Sequence, residues 1–130
     1  MQNNKLPNLQ LSANEVFNLM QNKNNTVFII DVRAKIEFDN YHIENAINIH
    51  ISEVNLQNVL EKLNLKHTSS AIIITYCNSG GRGGRAFKLL NDQLQEYIDS
   101  GANSNIQVAN LEHGINEYIN ANLSGILYNK

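Results

Sequence analysis

A chain of 130 residues, 42% of them hydrophobic, is long enough for one domain with a buried core and too short for two ordinary ones. Ten Lys plus Arg against 12 Asp plus Glu leave a formal net charge of -2, which excludes a global basic field for nucleic acid or anionic lipid. A single cysteine excludes an internal disulfide framework and any cysteine-rich zinc site, and fits a reducing compartment.

Residues 1–10 are polar and read as an arm without the apolar core of a signal peptide. No later run approaches the roughly 18 apolar residues that cross a bilayer, so the expectation is a cytoplasmic chain without a membrane segment. Ser12-Ala13-Asn14-Glu15 is a capping box ahead of apolar Ala13, Val16, Phe17 and Met20, which predicts a short helix. After a turn at Asn22 to Asn25, Val27-Phe28-Ile29-Ile30-Asp31 reads as a strand too uniformly apolar to have a wet face.

Ile36-Glu37-Phe38 suits one helical turn, and Ala46-Ile47-Asn48-Ile49 a second strand. Ser52 is the expected cap of a helix whose Leu56, Val59, Leu60 and Leu63 share one face. Ala71-Ile72-Ile73-Ile74-Thr75 is a third strand. Beyond a glycine-rich loop, Ala86, Phe87, Leu90, Leu94 and Tyr97 or Ile98 mark a helix face. Asn105 to Ala109 is a last strand, and Leu111-Glu112-His113-Gly114 turns into a terminal helix with Ile115, Tyr118 and Ile119 inward. Strands alternating with helices predict a single α/β domain with a mostly parallel sheet and helices on both faces, over residues 11–123, with residues 124–130 as a tail.

The loop Tyr76-Cys77-Asn78-Ser79-Gly80-Gly81-Arg82-Gly83-Gly84-Arg85 concentrates the only cysteine and four of the seven glycines. A thiol attacks as thiolate, and at a free pKa of about 8.5 little of it is ionised near neutrality. Backbone N–H groups of the loop, the positive end of the following helix and the Arg82 guanidinium all favour an anion there. Gly80, Gly81, Gly83 and Gly84 permit the positive φ angles that would turn successive N–H groups into one cradle. The bland alternatives are a small buried cysteine and an ordinary turn. A nucleotide P-loop is a weak reading, since its Gly-Lys-Ser/Thr is missing, and His50, His67 and His113 have no metal-ligand spacing with a cysteine.

These residues resemble the rhodanese-like family. Cys77-x-x-x-x-Arg82 after an apolar strand is similar to its active-site loop. Asp31-Val32-Arg33, Glu37-Phe38 and His42-Ile43-Glu44-Asn45-Ala46-Ile47-Asn48-Ile49 resemble its Asp-Val-Arg, Glu and Gly-His-Ile-x-Gly-Ala-x-Asn-Ile signature, and Leu111-Glu112-His113-Gly114-Ile115 its Leu-x-Gly-Gly-Ile segment.

The resemblance implies a sulfurtransferase with Cys77 as nucleophile and persulfide carrier and Arg82 as a catalytic-loop partner for substrate or loop. Asn78, Ser79, Gly80, Gly81 and Gly83 would form the loop, and Asp31, Arg33, Glu37 and His42 the scaffold. It implies no cofactor and no metal, a small sulfur donor, and a thiol, cyanide or protein thiol as acceptor. Four residues between Cys77 and Arg82 favour sulfur over phosphorus, because the similar cysteine phosphatases carry one more. A non-catalytic binding module, and a phosphatase or arsenate reductase, remain as alternatives.

The chain departs from the family pattern at five places. Asn78 stands where family members that use thiosulfate often have a basic residue, so thiosulfate is expected to be a poor donor. Asn45 and His113 replace glycines, Tyr118 stands near the usual tryptophan, and Gly83 replaces a serine or threonine. An extra glycine at 83 is expected to loosen the loop.

Overall fold

The computed structural model of the chain describes residues 5–129. Its elements run β1 (Gln10–Leu11), α1 (Ala13–Gln21), β2 (Val27–Asp31), α2 (Lys35–Asn40), β3 (Tyr41–Ile43) and β4 (Ile47–Asn48), then a 3-10 turn (Ile51–Glu53). They continue with α3 (Leu56–Lys62), β5 (Ala71–Tyr76), α4 (Gly81–Asp99), β6 (Ile106–Leu111), α5 (Gly114–Asn120) and β7 (Ile126–Tyr128). Five strands form one sheet in the order β1-β6-β5-β2-β4, all parallel. The chain is therefore the expected single α/β domain with helices on both faces.

Central β5 explains why. All six of its residues are buried, and successive side chains leave a strand on opposite faces. Ile73 joins the cluster under α3 and α4 with Val59, Leu60, Leu90 and Leu94, while Ile72 and Ile74 join the cluster under α1 and α5 with Val16, Ile115 and Tyr118. The apolar run marks a strand covered on both faces. Among the described residues no helix is long and apolar enough to cross a membrane.

Local signals hold where they rest on neighbours in the chain. Ser12 Oγ accepts from the Glu15 N–H at 3.1 Å, and Glu15 Oε1 accepts from the Ser12 N–H at 2.9 Å, completing the capping box. Asn45, at a family glycine position, has φ +70°, a left-handed conformation that asparagine tolerates better than most residues.

Other expectations need correction. Asn55, not Ser52, caps α3: its Oδ1 accepts from the Asn58 N–H at 2.8 Å, and Ser52 lies within the 3-10 turn. On α4, Ile98 is exposed, whereas the Tyr97 ring stacks on His67 at 3.5 Å. The stretch expected as a tail contributes β7, which pairs antiparallel with β3, His42 facing Leu127. The end of the N-terminal arm is tied to β6, since Asn110 N–H donates to the Leu9 carbonyl at 2.8 Å.

The largest correction concerns the glycine-rich stretch, most of which is helix. α4 begins at Gly81, so Gly81, Gly83 and Gly84 are helical, and within this stretch only Gly80 has a positive φ, +120°. Helix propensity argues against this start. The close approach of Gly83 to β5 and β6 overrides it.

Candidate active site

Parallel β2, β5 and β6 end together, with Asp31 opposite Tyr76 and Thr75 opposite Asn110. The loop after β5 therefore opens at the carboxyl edge of the sheet, where α/β folds place their ligand sites. Cys77 is the first residue of that loop. Its side chain is nearly buried, 2% exposed, and its Sγ accepts from the Gly80 N–H at 3.2 Å. Gly80 caps the 19-residue α4, so the sulfur sits at the positive end of the longest helix.

Two close backbone approaches hold this loop. A Cβ on Gly80 would run into the Glu112 carbonyl, and one on Gly114, at φ +69°, into the carbonyls of Asn78 and Cys77. The first turn of α5 binds those carbonyls directly: Ile115 N–H donates to Cys77 O at 2.9 Å and Asn116 N–H to Asn78 O at 3.0 Å.

Gly83 does not loosen the loop. A Cβ there would stand 2.9 Å from the Asn110 amide and 3.1 Å from both the Cys77 nitrogen and the Tyr76 Cα. Thr75 Oγ1 donates to the Gly83 carbonyl at 3.1 Å. The Asn110 amide, with its nitrogen turned towards β5, donates to the carbonyls of Thr75 at 3.0 Å and Gly83 at 3.2 Å. The missing side chain lets the helix start press against the strand that carries Cys77.

Asp31, Arg33, Glu37, Asn78 and Arg82 form one continuous network. Arg33 is fully buried, and its Nε and Nη2 donate to the Asp31 carboxylate, the shortest contact being 2.7 Å. Nη2 also donates to the Tyr41 carbonyl at 2.6 Å, and the Tyr41 ring centroid lies 5.1 Å from the guanidinium carbon. Burial pulls the Arg33 pKa down, and the hydrogen bonds and charge of Asp31 more than offset it.

The third Arg33 nitrogen, Nη1, donates to Asn78 Oδ1 at 3.0 Å, and Asn78 Nδ2 donates to Glu37 Oε2 at 2.7 Å. Glu37 in turn receives both arms of Arg82, at 2.7 and 3.1 Å, and caps its own helix by accepting from the Ala34 N–H at 3.1 Å. With Arg82 first among its partners, this carboxyl is held down from 4.5 to about 2.

Asn78 thus serves as a bridge between the two ion pairs, and Arg82 is already engaged by a carboxylate. Ser79 and Gly81 are exposed at the loop's apex. His42 lies outside the network: its Nδ1 is 2.8 Å from the Phe38 carbonyl and its ring stacks on Phe38 at 3.9 Å. Tyr41, Asn110 and Gly114 support the site and escaped the sequence reading. Gly114 alone carried a signal, as the glycine of the Leu111 to Ile115 segment.

The Rhodanese-like domain family model matches residues 12–121, and the chain belongs to that family. No curated protein matches it in sequence. Among solved structures it is similar to the rhodanese-like domain of an Anabaena protein, with TM-score 0.69 and 17% identity over 93% of this chain and 80% of that one. A thiosulfate sulfurtransferase from Pseudomonas aeruginosa gives TM-score 0.68 and 20% identity, over 95% of this chain and 21% of that one. A Rhodopseudomonas palustris protein of unknown function, described as a possible tyrosine phosphatase, gives 0.63 and 17%, over 91% and 84%. At these identities the likeness is one of fold.

Proposed function

We propose that the protein is a sulfurtransferase that carries sulfur as a persulfide on Cys77. The observation that carries the reading is the position of Cys77 Sγ, 3.2 Å from the Gly80 N–H at the start of α4, on a loop of the rhodanese-like domain. The Cys77 thiolate attacks the sulfane sulfur of a donor, the new S–S bond forms, and the rest of the donor leaves with the electron pair of the broken bond. The Gly80 N–H and the helix end face the anion before and after transfer. With one cysteine in the chain, no second thiol resolves the persulfide internally. The acceptor is an external nucleophile: cyanide, a small thiol or a protein cysteine. A reducing compartment, such as the cytoplasm, suits this exchange.

A phosphatase reading fits less well. Phosphate recognition uses the two-pronged face of an arginine, and both prongs of Arg82 are on Glu37. The 2% exposure of Cys77 favours, as a second reading, a module that recognises a partner without transferring sulfur.

The test is intact-mass measurement after incubation with several sulfane donors, alone and followed by cyanide. Wild type is expected to gain the mass of one sulfur atom and lose it to cyanide, while Cys77→Ser gains nothing. No gain with any donor, together with partner binding that survives Cys77→Ser, would establish the module instead.

A further inference from the structure

Arg82 is neutralised before any substrate arrives. Arg82 gives both guanidinium arms to Glu37, and Glu37 is fixed from two further sides by Ala34 N–H and Asn78 Nδ2. Asn78 is itself anchored to Arg33, whose charge is matched by Asp31. The four charged groups of the network, Asp31, Arg33, Glu37 and Arg82, therefore sum to zero.

The two pairs differ in access. Asp31 and Arg33 are fully buried, whereas the side chains of Arg82 and Glu37 are 31% and 28% exposed, so an incoming group can reach the second pair. Arg82 is the second residue of α4, the helix whose capping Gly80 N–H lies 3.2 Å from Cys77 Sγ, so the guanidinium belongs to the same helix start as the sulfur.

We propose that Glu37 is a specificity-determining residue: by holding Arg82 in a two-point ion pair, it withholds that guanidinium from anionic substrates and biases Cys77 towards donors without net negative charge. This rests on the sulfurtransferase reading for its donors, although the charge effect itself does not require it. Thiosulfate brings two negative charges beside the Glu37 carboxylate. It must either draw Arg82 away or react without it.

For thiosulfate the step is attack of the Cys77 thiolate on the outer sulfur, cleavage of the S–S bond and departure of sulfite. For a protonated hydropersulfide, attack on the terminal sulfur expels a thiolate, and Cys77 keeps the S–SH. Glu37 opposes only the first encounter. Positioning the loop would require it equally for both.

The experiment compares wild type, Glu37→Gln and Arg82→Gln in two measurements on Cys77. Glutamine retains an oxygen for Asn78 and removes the charge. The first measurement is alkylation by iodoacetate and iodoacetamide, which are alike in size and differ by one charge. The second is persulfide formation from thiosulfate and from aminoethyl hydropersulfide.

Glu37→Gln is expected to raise the iodoacetate-to-iodoacetamide rate ratio on the order of tenfold and the thiosulfate-to-hydropersulfide ratio in the same direction. Arg82→Gln, which leaves Glu37 uncompensated, is expected to lower both. Mere loosening of the loop would move both variants the same way, or leave the ratios unchanged, and either result overturns the proposal. If the alkylation ratios shift in opposite directions and no donor persulfidates Cys77, the charge control stands and the sulfurtransferase reading falls.

Discussion

The Ile115 N–H donates to the Cys77 carbonyl at 2.9 Å, so the last helix of the domain holds the first residue of the loop. The neighbouring Gly114 makes this approach possible, because its φ of +69° and lack of a side chain bring it against the carbonyls of Cys77 and Asn78. Gly114→Ala is expected to cost about 2 kcal/mol or more in urea unfolding, from the strained backbone and the forced separation. It should also slow alkylation or persulfidation of Cys77 under conditions where the protein remains folded. Normal stability and reactivity would show that α5 does not position the loop.

Glu37 gives the fold a defined acid sensitivity. Its pKa falls from 4.5 to about 2 on folding, chiefly through Arg82, so the folded state favours the carboxylate. A depressed pKa contributes stability that is complete above the unfolded value and is lost as pH falls through the folded one. The stability difference between wild type and Glu37→Gln is therefore expected to be constant above about pH 5 and to shrink towards pH 2. Thermal unfolding of both proteins across that range checks it, and a gap independent of pH would remove the ion pair from the account.

Asp31 and Arg33 form the deeper pair, with neither side chain exposed. Arg33→Met leaves the Asp31 carboxylate buried without its countercharge and Asn78 Oδ1 without its donor. The expected loss is about 3–5 kcal/mol in denaturant unfolding, a large share of the roughly 5–15 kcal/mol that holds a domain together. A loss below about 1 kcal/mol would mean that water replaces the guanidinium at little cost.

At Gly83, packing rather than loop flexibility is the constraint. Gly83→Ala places a methyl group 2.9 Å from the Asn110 amide and 3.1 Å from the Cys77 nitrogen, and should cost about 1–3 kcal/mol. Asn110→Ala vacates part of that space while removing its bonds to Thr75 and Gly83. The double variant is then expected to lose less than the sum of the two single losses, which a double-mutant cycle measures. Strict additivity would show that the two sites do not share this volume.

Much of this fold is written in short-range patterns. The all-apolar run of β5 announces a strand covered on both faces, and Ser12 with Glu15 announces the start of α1, because each depends on residues a few positions apart. The end of β7 was illegible for the opposite reason: Ile126–Tyr128 is a strand only because β3 offers an edge. Gly83 was misread because local propensity ties glycine to loops, whereas this glycine admits Asn110 from another strand.

The sequence by itself determined the α/β class, the entrance of Cys77 into the loop after β5, and the four-residue interval to Arg82. Only the tertiary structure decided what Arg82 does. Its partner Glu37 lies 45 positions away on α2, and the Asn78 side chain joins that pair to a second one on β2 and the turn after it. Ion pairing depends on distance and burial, which the folded path of the chain sets and residue order alone does not.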